Sequence, residues 1–144
     1  MKAQRLDDQI CFALYAASKK FTKFYKEILA DFGLTYSQYL VLLALYEQNH
    51  LSIKDLGEKL ELDSGTLTPL LKRMEANNWV ERNRSHEDER VINISLTHHS
   101  KLQESTIAAV IDRCVVSLMD DEAEYKALLT LSKKLNHVLT TKLK

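Results

Sequence analysis

The sequence predicts a mainly α-helical chain with one short β-hairpin near its middle. Of the 144 residues, 45% are hydrophobic, which is enough to bury one sizeable core. Three glycines and a single proline leave too few turn-forming residues for an all-β fold. Apolar residues recur at helical spacing along most of the chain, whereas residues 79–96 carry the strand pattern. We therefore expect a single domain over residues 1–144.

Long helices are predicted at both ends of the chain. Apolar residues repeat every three or four positions over residues 6–32, which predicts one amphipathic helix that Gly33 ends. Thr97 can cap a further helix, which breaks near Asp120 and is followed by a last helix to the C-terminus. Segments 6–32 and 97–144 carry more apolar surface than so small a domain can cover. We expect them to be the dimerisation helices of an obligate homodimer.

Residues 35–96 predict a compact arrangement of short helices. Thr35 can cap a helix to about Glu47, which is apolar almost all round and should lie at the centre. Ser52 can cap a short helix, and Asp63 can cap the next one after a tight turn, which together make a helix-turn-helix. Pro69 has no N–H group, so we expect an irregularity in the second of these helices.

A hairpin follows the helix-turn-helix. The polar run 82–90 lies between Trp79-Val80 and the alternating residues 91–96, which predicts two short strands joined by a charged tip. Such a hairpin is a wing, so residues 35–96 are predicted to be the winged helix-turn-helix, DNA-binding part of the chain.

DNA contact is predicted from residue types on the second helix and the wing. Short hydroxyl side chains at the start of a recognition helix can approach base edges, and Arg or Lys can hold a phosphate or a guanine. Arginines of the hairpin, including Arg82, could hold phosphates or enter the minor groove, and Asp88 could orient Arg90 through a charge-assisted pair. The predicted DNA-binding residues are Ser64, Thr66, Thr68, Lys72, Arg73, Arg84, Asp88 and Arg90. The alternative for each is an ordinary helix cap or solvated face.

Charge and cysteine content narrow the class of protein. The formal net charge is zero, so nucleic-acid contact must come from local clustering, as in a protein that reads sequence. Two distant cysteines and dispersed histidines predict neither a disulfide scaffold nor a metal site. The sequence has no nucleotide-binding or nucleophile motif, so we expect no cofactor and no catalytic residues. Neither a signal peptide nor a bilayer-spanning run is recognisable, so we expect a cytoplasmic protein without membrane contact.

Cys11 is the candidate redox site. We place it in the second turn of the first helix, where free N–H groups favour a thiolate, although Asp7 and Asp8 oppose this. Tyr15 follows on the same helix face. Tyr25 lies about 21 Å farther along the helix, so it can reach Cys11 only from a partner subunit.

Hydrogen bonds from the partner subunit's Tyr25 and Tyr36 could stabilise a Cys11 thiolate, which would make Cys11 a peroxide sensor. The alternative is a packing cysteine with interface tyrosines. Cys114 shares an apolar stripe with Val110 and Leu118. It either packs there or resolves oxidised Cys11 by forming a disulfide.

These segments resemble the MarR family of winged-helix bacterial repressors, in particular its OhrR-type branch that senses organic peroxides. The most specific matches are residues 6–15, 34–39, 62–74 and 87–90. The resemblance implies that Cys11 is the peroxidatic cysteine, that Tyr25 and Tyr36 of the other subunit hydrogen-bond it, and that Tyr15 belongs to the same site. It also implies that Ser64, Thr66 and Arg73 contact DNA and that Asp88 and Arg90 form the Asp-x-Arg of the wing. Cys114 suggests the two-cysteine class, whereas one-cysteine members need an external thiol.

The expected function is therefore a homodimeric repressor of a pseudo-palindromic operator in double-stranded DNA. It would release the operator when organic hydroperoxide oxidises Cys11. A low-molecular-weight thiol could then react with the oxidised Cys11. One alternative is a repressor that a small aromatic ligand releases. Another is a thiol peroxidase, which the lack of an evident arginine-stabilised peroxide pocket disfavours.

Overall fold

A computed structural model describes residues 5–144 and confirms the mainly helical, winged helix-turn-helix fold. In chain order the elements are α1 (Ile10–Ile28), α2 (Tyr36–Glu47), β1 (Leu51–Ser52), α3 (Ile53–Leu60), α4 (Ser64–Ala76), β2 (Val80–Arg84), β3 (Ile92–Leu96), α5 (His98–Val116) and α6 (Glu122–Lys142). The chain divides into two compact units, one that ends at Ser105 and one from Thr106 to Lys144. None of the helices described is both long and apolar enough to span a membrane.

The predicted single helix over residues 6–32 is wrong at both ends. Leu6–Asp8 is a 3₁₀ turn, and Gln9 is extended, so α1 begins at Ile10. After α1 a second 3₁₀ turn, Ala30–Phe32, leads to Gly33 in the left-handed conformation at φ 65°. The tighter turn redirects the chain so that Leu29 and Leu34, on either side of it, are both buried. One consequence is that Cys11 lies in the first turn of α1 and not in the second.

Helix α2 is the central helix, as predicted. Thr35 and Gln38 form a capping box, in which each side chain accepts from the other residue's backbone N–H at 3.3 and 3.0 Å. Val41, Leu42 and Leu45 are fully buried. Among the large apolar side chains of α2, Leu43 is exposed, at 39%.

The caps of the helix-turn-helix are also those predicted. Ser52 Oγ accepts from the backbone N–H of Asp55 at 3.0 Å, and Asp63 Oδ1 accepts from that of Thr66 at 2.8 Å. The irregularity predicted at Pro69 is not found, because α4 is one continuous α-helix. The residue four positions before it is Gly65, whose backbone lacks a Cβ and can adjust to the proline ring.

Gly57 sets the close approach of α3 to the turn that follows. Its carbonyl accepts from the N–H of Leu62 at 2.9 Å, and a Cβ added at Gly57 would lie 2.7 Å from the Leu62 carbonyl oxygen. The turn itself uses Glu61 in the left-handed conformation at φ 54°. Residue 57 therefore has no room for a side chain.

We expect Gly57→Ala to lower the free energy of unfolding by about 1–3 kcal/mol, measured by urea denaturation, because the backbone must shift to accept the methyl group. Helix propensity alone predicts the opposite sign, a gain of roughly 0.5–1 kcal/mol. The comparison variant is Gly65→Ala in α4, where the added Cβ would approach only a movable side-chain oxygen of Asp63, at 3.1 Å. A Gly57→Ala protein as stable as the wild type would contradict the packing account.

The wing is confirmed, and the sheet contains one strand more than predicted. Its order is β1-β3-β2, all antiparallel, with Val80 opposite Leu96 and Arg84 opposite Ile92. Strand β1 pairs Leu51 with Ile94. A strand of two residues, the second of which also caps a helix, has no alternation for a sequence pattern to detect.

Hydroxyl groups join the base of the wing to the start of α5. Thr97 Oγ1 accepts from the N–H of Ser100 at 3.1 Å, as expected of a cap, and the Ser100 hydroxyl donates to the Trp79 carbonyl. Tyr46 of α2 donates its hydroxyl to the Ser100 carbonyl at 2.8 Å. Burial raises the pKa of Tyr46 to about 12, with a further contribution from the charge of Glu104, so this phenol remains a donor.

The second unit contains the predicted break between the last two helices. Asp121 caps α6 by accepting from the N–H of Glu124 at 2.7 Å. No residue of α6 is buried, and the same holds for α1 in the first unit. The large apolar side chains exposed on these two helices are Ile10, Leu14, Tyr15, Phe21, Tyr125, Leu128, Leu129, Leu131, Val138 and Leu139.

Candidate nucleic-acid interface and redox site

Helix α4 presents the predicted DNA-binding face to solvent. Its opposite side is anchored in the core by Leu67, Leu70, Leu71 and Met74, all of them buried. Ser64, Thr66, Lys72 and Arg73 are exposed, and Thr68 is half-buried. The helix therefore combines an exposed N-terminal turn rich in hydroxyl groups with two cations farther along.

The Thr66 hydroxyl is oriented by the helix cap. It donates to Asp63 Oδ2 at 3.2 Å, while Asp63 Oδ1 accepts from the Thr66 backbone. With its proton directed at Asp63, the hydroxyl oxygen keeps its lone pairs for a donor outside the protein, such as a base amino group.

The wing tip holds Arg84 and Arg90 in exposed positions. Arg84 Nη1 donates to the Glu89 carbonyl at 3.4 Å. Asp88 Oδ1 accepts from the backbone N–H of Arg90 at 3.0 Å, and the Asp88 carbonyl accepts from the N–H of Val91 at 2.9 Å. The expected pair between the Asp88 carboxylate and the Arg90 guanidinium is thus replaced by a local turn. In this turn the Asp88 side chain accepts from the backbone N–H two residues farther along the chain. Asp88 shapes the tip, and the Arg90 side chain extends from it.

Arg82 does not occupy the exposed position expected of a phosphate ligand. Its side chain is only 16% exposed, and Nη1 lies 3.5 Å from Glu75 Oε2 on α4. No local pattern in the sequence indicated this pair, because the two residues meet across the junction of α4 and β2.

Cys11 is a free, exposed cysteine in the first turn of α1. Backbone N–H groups in the first turn of a helix lack intrahelical acceptors. Asp7 and Asp8, in the preceding 3₁₀ turn, add negative charge nearby. Exposure gives an oxidant direct access to the sulfur.

The predicted tyrosines fall into two groups. Tyr25 stacks on Tyr36 with ring centroids 4.7 Å apart and on Tyr39 at 5.7 Å. Burial raises the pKa of Tyr36, which keeps this phenol protonated. Tyr39 was missed because it lies within an apolar helix and looks there like an ordinary core residue.

Tyr15 stands apart from this cluster. It is 59% exposed, and its hydroxyl lies 3.4 Å from Lys19 Nζ. Tyr15 shares the N-terminal half of α1 with Cys11. Tyr25 lies about 21 Å from Cys11 along the same helix, at 1.5 Å per residue.

Cys114 lies in the second unit, free and half-buried on α5. The same unit has a cavity of about 400 Å³ with apolar walls that include Val115, Met119 and Tyr125. The carboxylates of Asp112 and Asp120 also line it. Among residues 5–144, no group of three or more His, Cys, Asp or Glu side chains is placed to hold a metal ion.

Comparison with known proteins places the chain in a family. Residues 23–108 match the family described as "Transcriptional regulator SarA/Rot". The organic hydroperoxide resistance transcriptional regulator of Bacillus subtilis is 53% identical over 98 residues, which cover 68% of this chain and 67% of that protein. Alignments to two further relatives cover 48% and 65% of those proteins.

Solved structures of AbfR, one of them described as AbfR of Staphylococcus epidermidis, are similar over nearly the full length. Reduced AbfR bound to DNA is 38% identical with a TM-score of 0.88, covering 97% of this chain and 96% of that one. Disulfide-formed AbfR is 39% identical with a TM-score of 0.69, covering 96% and 92%. The chain therefore belongs to the SarA/Rot family of MarR-like winged-helix transcriptional regulators.

Proposed function

We propose that the protein is a cytoplasmic homodimeric repressor that binds a pseudo-palindromic operator when reduced and releases it when organic hydroperoxide oxidises Cys11. The observation that carries this proposal is the exposed thiol in the first turn of α1, in a chain that also presents an exposed recognition helix and wing. AbfR has been solved reduced on DNA, overoxidised on DNA and in a disulfide form, which supports a cycle in which the disulfide step, after oxidation of Cys11, releases the operator.

The proposed DNA contacts follow from exposure and charge. The start of α4, with Ser64, Thr66 and Thr68, would face base edges in the major groove, while Lys72 and Arg73 hold phosphate or guanine. Arg84 and Arg90, at the wing tip, would contact phosphates or a narrow minor groove, and Asp88 would hold the tip in shape.

A dimer is proposed because α1 and α6 have no buried residues while both carry rows of large apolar side chains. A monomer rarely exposes such continuous apolar surface. Two-fold pairing covers both copies with the same contacts and sets the two recognition helices about 34 Å apart, one turn of DNA.

The same pairing would activate the thiol. Tyr25 and Tyr36 lie together but too far along the molecule from Cys11 of their own chain. If two α1 helices run antiparallel, the partner subunit's Tyr25 and Tyr36 approach Cys11 and donate hydrogen bonds that stabilise its thiolate. Tyr15, one turn from Cys11, would form another side of the site.

The redox step converts the thiolate to a sulfenic acid. The Cys11 thiolate attacks the terminal hydroperoxide oxygen, the O–O bond breaks, and the alkoxide leaves and takes a proton to become the alcohol. A second thiol, from the partner subunit's Cys114 or from a small molecule, then attacks the Cys11 sulfur and displaces water to give a disulfide. The new bond would change the angle between subunits and move the two recognition helices out of register.

The test is DNA binding of the reduced wild type before and after one equivalent of cumene hydroperoxide, followed by dithiothreitol. We expect oxidation to weaken binding about ten-fold or more, in the range of ordinary allosteric coupling, and reduction to restore it. Affinity that oxidation leaves unchanged would refute the proposal. The same titration bears on enzymatic activity, since a regulator without turnover consumes hydroperoxide only in proportion to its own thiols.

Cys114 is proposed to be the resolving thiol. We expect cumene hydroperoxide to convert the wild type into a covalent dimer on a non-reducing gel. Cys114→Ser should remain monomeric on that gel, because the remaining protein thiol, Cys11 of the partner subunit, would lie at the opposite end of an antiparallel α1 pair. Addition of glutathione to the oxidised variant should give a mixed disulfide visible by mass spectrometry. A covalent dimer that persists in Cys114→Ser would contradict the assignment.

Release by a small phenolic ligand is the weaker hypothesis. The cavity of the second unit has apolar walls, but the carboxylates of Asp112 and Asp120 would repel the carboxylate of an aromatic acid and so leave only neutral aromatic ligands. A ligand-released repressor would keep its response in Cys11→Ser.

A further inference from the structure

The ion pair between Glu75 and Arg82 connects the two proposed DNA-contacting elements. Glu75 lies in the last turn of α4, and Arg82 lies at the middle of β2, opposite Ile94 of β3. Arg82 Nη1 donates to Glu75 Oε2 at 3.5 Å, and the two side chains are 16% and 44% exposed. The pair therefore spans the corner at which the recognition helix gives way to the wing.

The stability of the fold does not account for this arginine. A long ion pair with one partner nearly half exposed contributes little to folding. In addition, Arg82 Nε is buried without a hydrogen-bond partner among the described residues, which is unfavourable. An apolar side chain of similar length would fill the same space without an unsatisfied donor.

The corner is held at the base of the wing, where Thr97 Oγ1 donates to the Asn78 carbonyl at 2.8 Å and Trp79 and Val80 are buried. Only residues 77–79 separate α4 from β2, and Asn78 in this turn adopts the left-handed conformation at φ 60°. The backbone N–H of Asn77 donates to Arg73 and that of Trp79 to Met74, so the turn is closed on the helix side. Two residues beyond Val80, towards the wing tip, the Glu75–Arg82 pair is a side-chain contact between β2 and α4.

We propose that the Glu75–Arg82 pair is a positioning tie, which holds the wing at the angle where Arg90 and α4 reach the same duplex. This inference rests on the proposed DNA binding. Neither member of the pair contacts DNA: Glu75 orients Arg82, Arg82 fixes β2, and β2 carries the wing tip. Loss of either residue lets the wing swing away while α4 still reaches the major groove.

Simple electrostatics makes the opposite prediction for Glu75. Removing a negative charge near DNA tightens binding, whereas loss of the tie weakens it. For Arg82 the competing role is a direct phosphate contact, whose loss flattens the dependence of log affinity on log salt by about one unit. Loss of the tie through Glu75→Gln has no such direct contact to remove.

The experiment compares Glu75→Gln, Arg82→Gln and the double variant, with Glu81→Gln as the control, since Glu81 is an exposed acid of the same strand. The probe is a 30-base-pair duplex that the wild-type protein selects from a random pool. We expect both single variants to bind about five-fold or more weakly, the double variant to bind no more weakly than either single variant, and Glu81→Gln to bind at least as tightly as the wild type.

Chemical footprints separate positioning from general damage. The tie predicts that Glu75→Gln loses the wing's minor-groove protection from hydroxyl radicals but keeps the recognition helix's protection of guanine N7 from methylation. The tie would be overturned if Glu75→Gln bound more tightly than the wild type or if the losses in the double variant were additive. It would also be overturned if Glu75→Gln lost both footprints or kept both. A wild-type protein that selects no duplex would overturn the proposed function and the tie with it.

Discussion

Cys11→Ser should bind the operator as tightly as the reduced wild type and should not release it when organic hydroperoxide is added. Serine is close in size to cysteine, and the side chain is exposed in the first turn of α1, so neither packing nor helix formation opposes the change. The hydroxyl cannot form a sulfenic acid or a disulfide. Fluorescence anisotropy of labelled operator measures the difference: about ten-fold or more loss of affinity in the wild type and none in the variant.

Cys114→Ser is the matched control for this variant, because it makes the same chemical change at the other thiol. It should still oxidise at Cys11, since the sulfenic acid does not need a resolving thiol to form. Release of DNA by hydroperoxide in Cys11→Ser would assign the response elsewhere and contradict the proposed sensor.

Arg90→Ala should weaken DNA binding by about 1–3 kcal/mol, which is roughly a 5- to 150-fold rise in Kd. The side chain is exposed at the tip of the wing, and its backbone is held by Asp88, so truncation removes the contact without altering the turn. A phosphate contact predicts a loss that is uniform across sequences and a salt slope flatter by about one unit. A minor-groove contact predicts a loss of preference for A·T base pairs.

The control for Arg90→Ala is Arg113→Ala, an exposed arginine on α5 whose loss changes net charge equally. An Arg90→Ala protein that binds no more weakly than Arg113→Ala would show that the wing tip does not hold DNA.

Local signals were enough to predict most of the fold. Four helix caps were predicted from a short, oxygen-bearing side chain immediately before an apolar periodic segment: Thr35, Ser52, Asp63 and Thr97. Each side chain accepts the backbone hydrogen bond that this pattern predicts. The wing followed from alternation next to a polar run. These features depend on residues within a few positions of each other, which a sequence displays directly.

Features that depend on the path of the whole chain were missed. The periodicity of residues 6–32 contains no mark of the extended Gln9, so one helix was predicted in place of a helix between two 3₁₀ turns. Arg82 was assigned to solvent because its partner Glu75 is on another element. Asp88 was paired with the correct residue but with the wrong donor, because its carboxylate accepts from the backbone N–H of Arg90 and not from the guanidinium.

The candidate redox site shows the same division. Helix position and residue type singled out Cys11, and its exposure agrees with a reactive thiol. The stacking of Tyr25 on Tyr36 brings two of the predicted donors together, and the buried Tyr39 joins them. Their approach to the thiol depends on the surface of a second copy, which no pattern within one chain describes.

The most direct measurement of the central claim uses mixed dimers, in which one subunit carries Cys11→Ser and the other carries Tyr25→Phe with Tyr36→Phe. The remaining Cys11 then faces intact tyrosines only if they come from the partner subunit. The account predicts that this thiol reacts with cumene hydroperoxide about as fast as a wild-type thiol, and much faster than in the homodimer of the tyrosine variant. A mixed dimer as slow as that homodimer would contradict it.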